Sequence, residues 1–416
     1  MKITPVKGTN DYLPREAQLR DYLQQKILNV YTENGFEHII TPIVEDIENL
    51  DKSDGGDNLN LIFKIMKRGE KLDKALAAGV KRDNDLADMG LRYDLTLPLT
   101  RYYANNHDHL PNPVKCIQMD RVYRAERPQK GRLREFVQCD IDIFGSASPD
   151  SEVELILTTT EALFAIGMKN FRVRINDRRL LRSFLAGLGF TEDQLDSVCI
   201  SFDKMDKIGA EGVIAELRDK QFDEGAISRF SDYLSAGDFS LEKIEGMLAD
   251  PEPAESVRYI IGKVNELSDG KFGIDFDLSL VRGQGYYTGT VFEIESIDFK
   301  GAIAGGGRYD NLAGKFLGTQ VPAVGFSIGF ERIFSILKEK GIRIPEAKKK
   351  IVVLYPEGEL TAAVRKAQEI RKAGYIASLY VQPKKTGKFL NKMQEHGYDG
   401  FLVAGRDEEP KFFDEA

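Results

Sequence analysis

The spacing of apolar residues predicts one helix and then a series of strands in the first part of the chain. Apolar positions recur at helical intervals over residues 15–31. Strand-like runs follow at residues 36–44, 62–67, 90–97, 114–124 and 135–144. The connections between most of these runs are short, which favours an antiparallel sheet. A proline interrupts the first run.

Two of these strands alternate polar and apolar residues. In the last one, Gln138, Asp140 and Asp142 point one way and the intervening apolar residues point the other way. In the run before residue 98, Asp94 and Thr96 share a face in the same manner. We therefore expect one face of the sheet to pack against the core and the other to present amide, hydroxyl and carboxylate groups.

In the rest of the chain, the pattern of predicted elements changes twice. Residues 178–269 read as charged amphipathic helices with little strand character, which predicts an inserted helical module. Strand patterns resume near residues 276–282 and 288–294. After residue 347, strands and helices alternate, which predicts a parallel βαβ module. We predict a core domain over 1–342, interrupted by the helical module, and a second domain over 348–416.

Composition and charge narrow the class of protein. The chain has 416 residues, enough for two or three domains, and a net charge of -8. Negative charge disfavours a global electrostatic grip on nucleic acid, so any such partner needs local basic patches. Cys116, Cys139 and Cys199 are isolated, which argues against a disulfide framework or a structural zinc site. No apolar run approaches the roughly 20 residues that span a bilayer, so we expect no membrane association and a cytoplasmic location.

The segment 120–136 concentrates arginines around a Pro/Gly turn between two predicted strands. These arginines are Arg121, Arg124, Arg127, Arg132 and Arg134. A guanidinium group stays charged, and its planar fork matches pairs of carboxylate or phosphate oxygens, so the turn suits a polyphosphate. Beside a polar sheet face, it suggests a site that binds a nucleotide and an amine-bearing molecule together. The alternative is a charged hairpin tip with a solvated strand face.

Six segments spread over nearly the whole chain carry recognisable motifs, at residues 7–14, 35–43, 120–136, 282–293, 305–310 and 322–332. In chain order they resemble the N-terminal signature, motif 1, motif 2, two histidine-specific motifs and motif 3 of the histidyl-tRNA synthetase family, which belongs to class II of the aminoacyl-tRNA synthetases. A single glycine-rich match would be weak, but the order and joint occurrence of all six are highly specific.

The resemblance implies a fold and an activity. The expected fold is an α+β catalytic domain with a mainly antiparallel sheet flanked by helices, a helical insertion and a shortened C-terminal α/β anticodon-binding-like domain. The expected activity is ATP-dependent activation of L-histidine to histidyl-adenylate, followed by transfer to tRNA(His). ATP is then a substrate, Mg²⁺ accompanies it, and the protein is a homodimer because motif 1 is a dimer-interface element in the family.

The resemblance also assigns roles to four charged residues around the nucleotide. Arg124 contacts the α-phosphate and the histidine carboxylate, and Glu126 contacts the adenine edge. Arg332 contacts the distal phosphates, although a Glu-Arg pair that opens a helix often makes only a surface ion pair. Arg282 supplies a second cation at the α-phosphate, at a position that other class II enzymes give to a metal ion. Arg124 and Arg282 are therefore the expected catalytic residues.

By the same resemblance, the amino acid occupies the neighbouring pocket. Asp94, Thr96 and Gln138 bind the substrate ammonium group. The full set of residues expected to bind histidine is Asp94, Thr96, Arg124, Gln138, Asp142, Arg282, Tyr286, Tyr287 and Tyr309.

Asp142, with Tyr287 or Tyr309, is expected to read the imidazole ring. A carboxylate suits this role because it accepts a ring N–H and fixes the tautomer. Pairing of a polar side chain can discriminate by about 10⁴ to 10⁵, so no editing domain is needed. Tyr286 and Tyr287 have an alternative interpretation as ordinary core aromatics.

Two further patterns each allow two interpretations. The glycines 305–307 either form a turn that needs positive φ or bring the backbone close enough to admit the adenylate, and these need not conflict. Lys384, Lys385, Lys388 and Lys392 form either a solvated face or a basic patch for RNA phosphates.

The chain departs from the family pattern in two places. Gln284 and Gly285 stand where the family commonly has Leu-Asp, and the last module is shorter than usual. The main alternative is a paralogue that regulates ATP phosphoribosyltransferase and binds histidine without charging tRNA. The complete motif 2 turn and the C-terminal module argue against it. A synthetase for another amino acid would need a pocket different from the one that Asp142 and Tyr287 imply.

Overall fold

The computed structural model describes residues 1–51, 61–128, 132–237, 239–248, 250–281, 286–299, 301–342, 344–345 and 347–413. The chain forms two compact units. The first contains Met1–Asp11 and Arg20–Lys340, and the second contains Tyr12–Leu19 and Gly341–Ala416. None of the described helices is both long and apolar enough to cross a membrane.

The strands, in chain order, are β1 (Glu37–His38), β2 (Val44–Asp46), β3 (Phe63–Met66), β4 (Ala87–Leu91), β5 (Val114–Tyr123), β6 (Glu135–Phe144), β7 (Phe171–Asp177), β8 (Ile274–Phe276), β9 (Thr290–Ser296), β10 (Gly301–Arg308), β11 (Ala323–Ile328), β12 (Lys350–Tyr355), β13 (Ile376–Val381), β14 (Gly400–Val403) and β15 (Lys411–Phe412).

The α-helices are α1 (Pro14–Glu33), α2 (Ile47–Asp51), α3 (Glu70–Ala77), α4 (Thr96–Asn106), α5 (Asp150–Ala165), α6 (Arg178–Gly187), α7 (Glu192–Phe202), α8 (Met205–Asp219), α9 (Glu224–Ala236), α10 (Leu241–Glu245), α11 (Glu252–Leu267), α12 (Gly314–Leu317), α13 (Phe330–Glu339), α14 (Leu360–Lys372) and α15 (Thr386–Glu395).

Within the described residues, the first unit is built on an eight-stranded sheet in the order β1-β5-β6-β11-β10-β9-β7-β8. Neighbours from β5 to β7 pair antiparallel, and the edge strands β1 and β8 pair parallel. A mainly antiparallel sheet is therefore confirmed. The hairpin of β5 and β6 is also confirmed, and its alternation sends Cys139, Ile141 and Ile143 into the core.

The predicted strand at 90–97 is wrong beyond Leu91, where β4 ends. The next four residues turn the chain, and α4 begins at Thr96. Oδ1 of Asp94 accepts a hydrogen bond of 3.2 Å from the backbone N–H of Leu97, which satisfies one of the donors that the first turn of a helix leaves unpaired. The predicted strand at 36–44 is also divided, since only two short strands, β1 and β2, form there.

Of the two interpretations of glycines 305–307, the turn is wrong, because these residues lie inside β10. None of the three has positive φ, unlike Gly301 at the start of the strand. A Cβ at Gly306 would lie 2.0 Å from the carbonyl oxygen of Gly325 and 2.9 Å from the ring of Phe292. Glycine is needed here because neighbouring strands and an aromatic ring approach the backbone closely.

The region predicted as helical forms α6 to α11. Its core is aromatic, with Phe184, Phe202 and Phe230 fully buried and packed in edge-to-face pairs. Leu278 and Val281, which follow β8, complete the same cluster. The helical region therefore shares apolar packing with the segment that leads up to residue 282.

Among the described residues, the second unit contains a four-stranded sheet in the order β13-β12-β14-β15. The first three strands are parallel, as predicted, and β15 adds an antiparallel edge. Alternate residues of β12 pack on α14 and α15, with Ile351 and Val353 on one face and Val352 and Leu354 on the other. Burial of both faces explains the continuous apolar run of this strand.

Candidate active site

A cleft of about 720 Å³ lies over the sheet of the first unit, with β6, β10 and β11 as its floor. Alternate residues of β6 point into it, because successive side chains of a strand face opposite sides. The predicted site residues that line the cleft are Thr96, Arg124, Glu126, Gln138, Asp142, Tyr286, Tyr287, Tyr309 and Arg332. The structure thus brings together residues that are up to about 240 positions apart in the sequence.

Asp142 lies at the buried end of the cleft and is 3 % exposed. Its Oδ1 accepts a hydrogen bond of 2.5 Å from the hydroxyl of Tyr309. Burial raises the pKa of Asp142 to about 7, while the hydrogen bond from Tyr309 opposes that rise. Burial also raises the pKa of Tyr309, so the phenol stays protonated and remains the donor. The Asp142 carboxyl is therefore balanced between its two protonation states near neutral pH.

Gln138 and Asp140 precede Asp142 on the same face of β6. Nε2 of Gln138 donates to Oδ2 of Asp140 at 3.3 Å. Burial raises the pKa of Asp140 well above its ordinary value, and the charge of Asp142 raises it further. Within the described part of the chain, Oε1 of Gln138 and Oδ1 of Asp140 are buried without a hydrogen-bond partner. The sequence pattern placed Asp140 on this face, but no role was predicted for it.

The start of α4 supplies the neighbouring wall. Asp94 is buried, and burial raises its pKa, while the N–H of Leu97 and the charge of Arg124 lower it. A side-chain hydrogen bond links Thr96 to Tyr286, whose pKa is raised well above its ordinary value by burial. Thr96 lines the cleft, whereas Asp94 is not a lining residue and lies beside it, close enough to influence Asp142 and Tyr286 electrostatically. Both are positioned by a helix start and not by the predicted strand face, and their roles stay predictions.

Arg124 follows β5 and is fixed by two contacts. Its Nε donates to the carbonyl of Tyr93 at 3.1 Å, and its guanidinium carbon lies 4.9 Å from the ring centre of Phe136. Among the described residues the guanidinium makes this hydrogen bond and this ring contact, and Arg124 lines the cleft, so other N–H groups of its fork can serve a ligand there. A held but incompletely paired guanidinium is suited to an oxyanion ligand.

Glu126 and Arg332 line the outer part of the cleft. A carboxylate oxygen of Glu126 lies 3.6 Å from Nη1 of Arg132, in the loop after β5. Nη1 of Arg332 donates to the carbonyl of Ala302 at the start of β10. A Cβ on Gly301 would lie only 2.9 Å from that Nη1, so the glycine gives this side chain its room.

The Glu-Arg pair that opens α13 does not form a surface ion pair. Glu331 instead accepts two hydrogen bonds of 2.6 Å from the guanidinium of Arg20 in α1. The same carboxylate accepts the backbone N–H of Val137 at 3.1 Å. Arg20 also lies over the rings of Phe330 and Phe334. This cluster joins α1, β6 and α13, and no local sequence pattern predicts it because its members are far apart in the chain.

Arg174 of β7 and Glu293 of β9 line the cleft and were also not predicted. They are opposite each other in the strand register, and Nη2 of Arg174 lies 2.8 Å from Oε1 of Glu293. Nη1 of Arg174 reaches Asp277 at 2.9 Å, and Asp277 also accepts the N–H and hydroxyl of Ser279. Alternation along β7 and β9 was the only sequence indication of this network.

Some of the residues singled out in the sequence lie outside the part of the chain that the structure describes, or away from the cleft. Arg282, Gln284 and Gly285 lie outside the described residues. In the second unit, the predicted basic patch is exposed: Lys384 and Lys385 precede α15, and Lys388 and Lys392 lie within that helix. Within the described chain, no cluster of three or more His, Cys, Asp or Glu side chains has an arrangement that could hold a metal ion.

Comparison with known proteins agrees with these features. A sequence profile described as histidyl-tRNA synthetase matches residues 8–333. A histidine–tRNA ligase from Leifsonia xyli subsp. xyli is 39% identical over 421 residues, which covers 97% of this chain and 96% of the relative. The chain belongs to the histidyl-tRNA synthetase family. A crystal structure of histidyl-tRNA synthetase from Nostoc sp. PCC 7120 is similar with a TM-score of 0.79 at 29% identity, covering 97% of this chain and 92% of that one.

Family membership confirms the predicted fold class and the prediction that the protein is a ligase of the aminoacyl-tRNA synthetase type. A structure described as an ATP phosphoribosyltransferase regulatory subunit/histidyl-tRNA synthetase from Bacillus halodurans C has a TM-score of 0.77 at 20% identity, and it covers 97% of this chain and 98% of that one. At that identity the similarity concerns the fold alone. The assignment of individual site residues stays a prediction.

Proposed function

We propose that this protein activates L-histidine with ATP to form histidyl-adenylate and then transfers the histidyl group to tRNA(His). The observation that carries the proposal is the position of Asp142. It is a buried carboxylate paired with Tyr309, in a cleft that the half-buried Arg124 and the exposed Arg332 also line. Such a cleft accommodates an imidazole at one end and phosphates at the other.

Activation needs no nucleophile from the protein. The histidine carboxylate attacks the α-phosphorus of ATP, the bond to the bridging oxygen breaks, and pyrophosphate leaves with the electron pair. In the second step a hydroxyl of the terminal ribose of tRNA attacks the acyl carbon, and AMP leaves. The protein contributes mainly by holding two anions together and by neutralising charge that develops in the transition state.

Arg124 is placed for the first of these tasks. Its backbone hydrogen bond and its stacking on Phe136 fix the guanidinium before the substrates arrive. The fork can then contact the histidine carboxylate and the α-phosphate together, which lowers the repulsion between them. We carry over a second cation, Arg282, from the family resemblance. Asp277 and Val281 lie in the packed segment that precedes it.

The amino acid is recognised through polar groups that burial would otherwise leave unpaired. We propose that Asp142 accepts the ring N–H of the imidazole, with Tyr309 or Tyr287 contributing to recognition of the ring. Asp94, Thr96 and Gln138 would hold the ammonium group. A smaller or apolar side chain would leave the Asp142 carboxyl without its donor, and such a loss costs more than an imperfect fit.

The nucleotide occupies the outer cleft in this proposal. Glu126 accepts from the adenine amino group, the glycines of β10 allow the adenylate to lie against the strand, and Arg332 contacts the distal phosphates. Mg²⁺ would enter with ATP and neutralise charge on the phosphate tail. Arg332 is held at Ala302, so its guanidinium is already near the phosphate end before ATP binds.

Several features of the whole molecule belong to the same proposal. We propose a cytoplasmic homodimer that places its dimer contact around residues 35–43. The helical insertion at 178–269 would reach the acceptor stem of tRNA. The domain at 348–416 would approach the anticodon arm through its exposed lysine patch, whose positive charge suits RNA phosphates.

Pyrophosphate exchange tests the proposal directly. The purified protein, supplied with MgATP and radiolabelled pyrophosphate, should form labelled ATP with histidine and not with the other standard amino acids. Unfractionated tRNA should then accept labelled histidine. Exchange with a different amino acid would contradict the pocket assignment. Histidine binding without any exchange would instead favour the regulatory alternative.

A further inference from the structure

Asp140 is a buried carboxylate at the floor of the cleft, and the family resemblance gives it no role. It lies on β6 between Gln138 and Asp142, on the face that points into the cleft, and is 4 % exposed. Oδ2 accepts a weak hydrogen bond of 3.3 Å from Gln138. Oδ1 has no hydrogen-bond partner among the described residues. A buried carboxylate oxygen left in this state costs free energy, so its retention needs an explanation.

The charges around Asp140 are unbalanced. Asp94 and Asp142 are also buried, and both influence Asp140 electrostatically, as does Arg124. Three carboxyl groups thus influence one another, and among the described residues Arg124 is a cation that acts on Asp94 and on Asp140. Buried charges are normally paired, so this region is suited to a ligand that brings positive charge with it. The α-ammonium group of an amino acid supplies such a charge, together with three donors.

Asp140 and Asp142 lie at different positions along β6, so they can contact different parts of one ligand. Asp142 is bound to Tyr309, whereas Asp140 lies beside Gln138 and within electrostatic reach of Asp94 and Arg124. Residues two apart on a strand are separated by about 6.5 Å, which is enough for one carboxylate to serve the ring of the ligand and the other its backbone end.

A purely structural role does not need the charge of Asp140. Gln138 donates to its Oδ2, and the hydroxyl of Ser327, opposite it in the register with β11, is a second hydrogen-bonding neighbour. An asparagine of the same shape can accept from both side chains without burying a carboxylate. The unpaired Oδ1 therefore indicates a ligand and not a packing requirement.

We propose that Asp140 is an additional substrate-binding residue, which accepts a hydrogen bond from the α-ammonium group of the amino acid through Oδ1. Together with Asp94 it would form a pair of carboxylates around that ammonium group. This inference rests on the proposed function, since it assigns one more contact to the same amino-acid pocket.

Two imidazole ligands, one with and one without an ammonium group, test the inference, and each is compared with itself between the wild type and the variant. Histidinol keeps the ammonium and imidazole groups and has a hydroxymethyl group in place of the carboxylate, whereas 3-(imidazol-4-yl)propionate keeps the ring and the carboxylate but lacks the ammonium group. Their binding to the full-length wild-type protein and to Asp140→Asn should be measured by titration calorimetry. A hydrogen bond to a charged group predicts that Asp140→Asn weakens histidinol binding by about 10- to 100-fold. Binding of the propionate should change by less than about 3-fold, because its missing ammonium group cannot lose the contact.

Two further variants identify the cause of a change. Asp140→Glu keeps the charge and should retain a larger share of the preference for histidinol over the propionate than Asp140→Asn. Ser327→Ala removes the opposite hydroxyl and should not alter that preference. An equal loss for both ligands in Asp140→Asn, or no loss for either, would overturn the inference.

The wild-type titrations separate this inference from the proposed function. If the wild-type protein binds neither imidazole ligand, the histidine pocket itself is refuted, and the inference with it. If the wild-type protein binds histidinol and Asp140→Asn binds it equally well, only the inference fails. Thermal unfolding of each variant checks that the protein is folded, and a variant that keeps propionate binding is folded at the site by that criterion alone.

Discussion

The hydroxyl of Tyr309 donates a hydrogen bond of 2.5 Å to Oδ1 of Asp142, and both residues are buried. Tyr309 lies just after β10 and Asp142 lies on β6, so the pair joins parts of the sheet that β11 separates. The bond stabilises the ionised carboxylate against the penalty of burial. It therefore helps to set the pH range in which Asp142 can accept an imidazole N–H.

Tyr309→Phe removes that hydrogen bond and should raise the pKa of Asp142 above about 7. At pH 7 a larger fraction of the carboxyl is then protonated and cannot accept a second donor. We expect the KM for histidine in pyrophosphate exchange to rise by about 10-fold at pH 7 and to recover partly by pH 8.5.

The pH dependence distinguishes this effect from a general loss of packing. Tyr233→Phe is a matched control, because the Tyr233 hydroxyl contacts Met247 in the helical region, away from the cleft lining. Its pH profile should follow that of the wild type. A KM for Tyr309→Phe that is raised equally at pH 7 and at pH 8.5 would contradict the electrostatic explanation.

Asp142→Asn should make the ligand-free protein more stable at alkaline pH. Burial raises the folded-state pKa of Asp142 from an ordinary 3.8 to about 7. A raised carboxyl pKa means that stability is fully present below the unfolded pKa and is lost as the pH rises through the folded pKa. Asparagine cannot ionise, so the variant does not suffer this loss.

Urea unfolding of the wild type and of Asp142→Asn, near pH 5 and at pH 8, measures the effect. The stability difference in favour of the variant should grow by about 2–3 kcal/mol between these two conditions. The same variant should weaken histidine binding, because the amide presents a donor or a weaker acceptor to the ring. A stability difference that is independent of pH would place the Asp142 pKa near its ordinary value.

Much of the site's sheet could be read from the sequence because the hairpin of β5 and β6 is local. Residues 137–143 of β6 alternate strictly, so the face that carries Gln138 and Asp142 follows from strand geometry alone. The βαβ order of the second unit could also be predicted from the sequence, because both faces of β12 are buried and its apolar run is therefore continuous.

Features that depend on tertiary contacts could not be predicted from the sequence. Asp94 was predicted to lie on a strand because it and Thr96 are two residues apart with an apolar residue between them. Its carboxylate instead accepts a hydrogen bond from the first turn of α4. The glycines of β10 allowed two interpretations, a turn or a close approach of the backbone, because their requirement for space arises from strands that are neighbours only in the folded protein. The partner of Glu331 lies 311 positions away along the chain, and no local pattern indicates it.

Arg20 and Glu331 should be strongly coupled in stability. Their side chains are 9% and 16% exposed, and two hydrogen bonds of 2.6 Å join them. Arg20→Met keeps an apolar stem against Phe330 and Phe334 but leaves the carboxylate without its cation. We expect it to destabilise the protein by about 2–4 kcal/mol. A double-mutant cycle with Glu331→Gln should give a coupling energy of about 1–3 kcal/mol.

An exposed ion pair provides the comparison for that cycle. Arg172 and Glu295 lie on neighbouring strands with 2.9 Å between Nη2 and Oε2, but their side chains are 51% and 26% exposed. Arg172→Met should cost less than about 1 kcal/mol. Equal costs for Arg172→Met and Arg20→Met, measured by urea unfolding at the same salt concentration, would show that burial adds nothing to the Arg20 pair.

Gly325→Ala should damage the pocket more than the fold. Gly325 pairs with Asp142 in the register of β6 and β11, and an added Cβ would lie 1.9 Å from Oδ1 of Asp142 and 3.3 Å from the ring of Tyr309. The carboxylate must then move away from the hydroxyl that orients it. We expect histidine affinity, measured by titration calorimetry, to fall by more than about 10-fold, as for the loss of a charged hydrogen bond.

Gly262→Ala is the matched control for the added methyl group. Gly262 lies in α11 with no atom within 4 Å of an added Cβ, so alanine should raise stability by about 0.5–1 kcal/mol and leave histidine affinity unchanged. The combined variant Gly325→Ala/Asp142→Ala tests whether the clash between the added Cβ and the Asp142 carboxylate causes the loss of affinity, because it removes that carboxylate. Adding Gly325→Ala to Asp142→Ala should lower histidine affinity little further. Additive losses would mean that the glycine and the aspartate affect histidine binding independently.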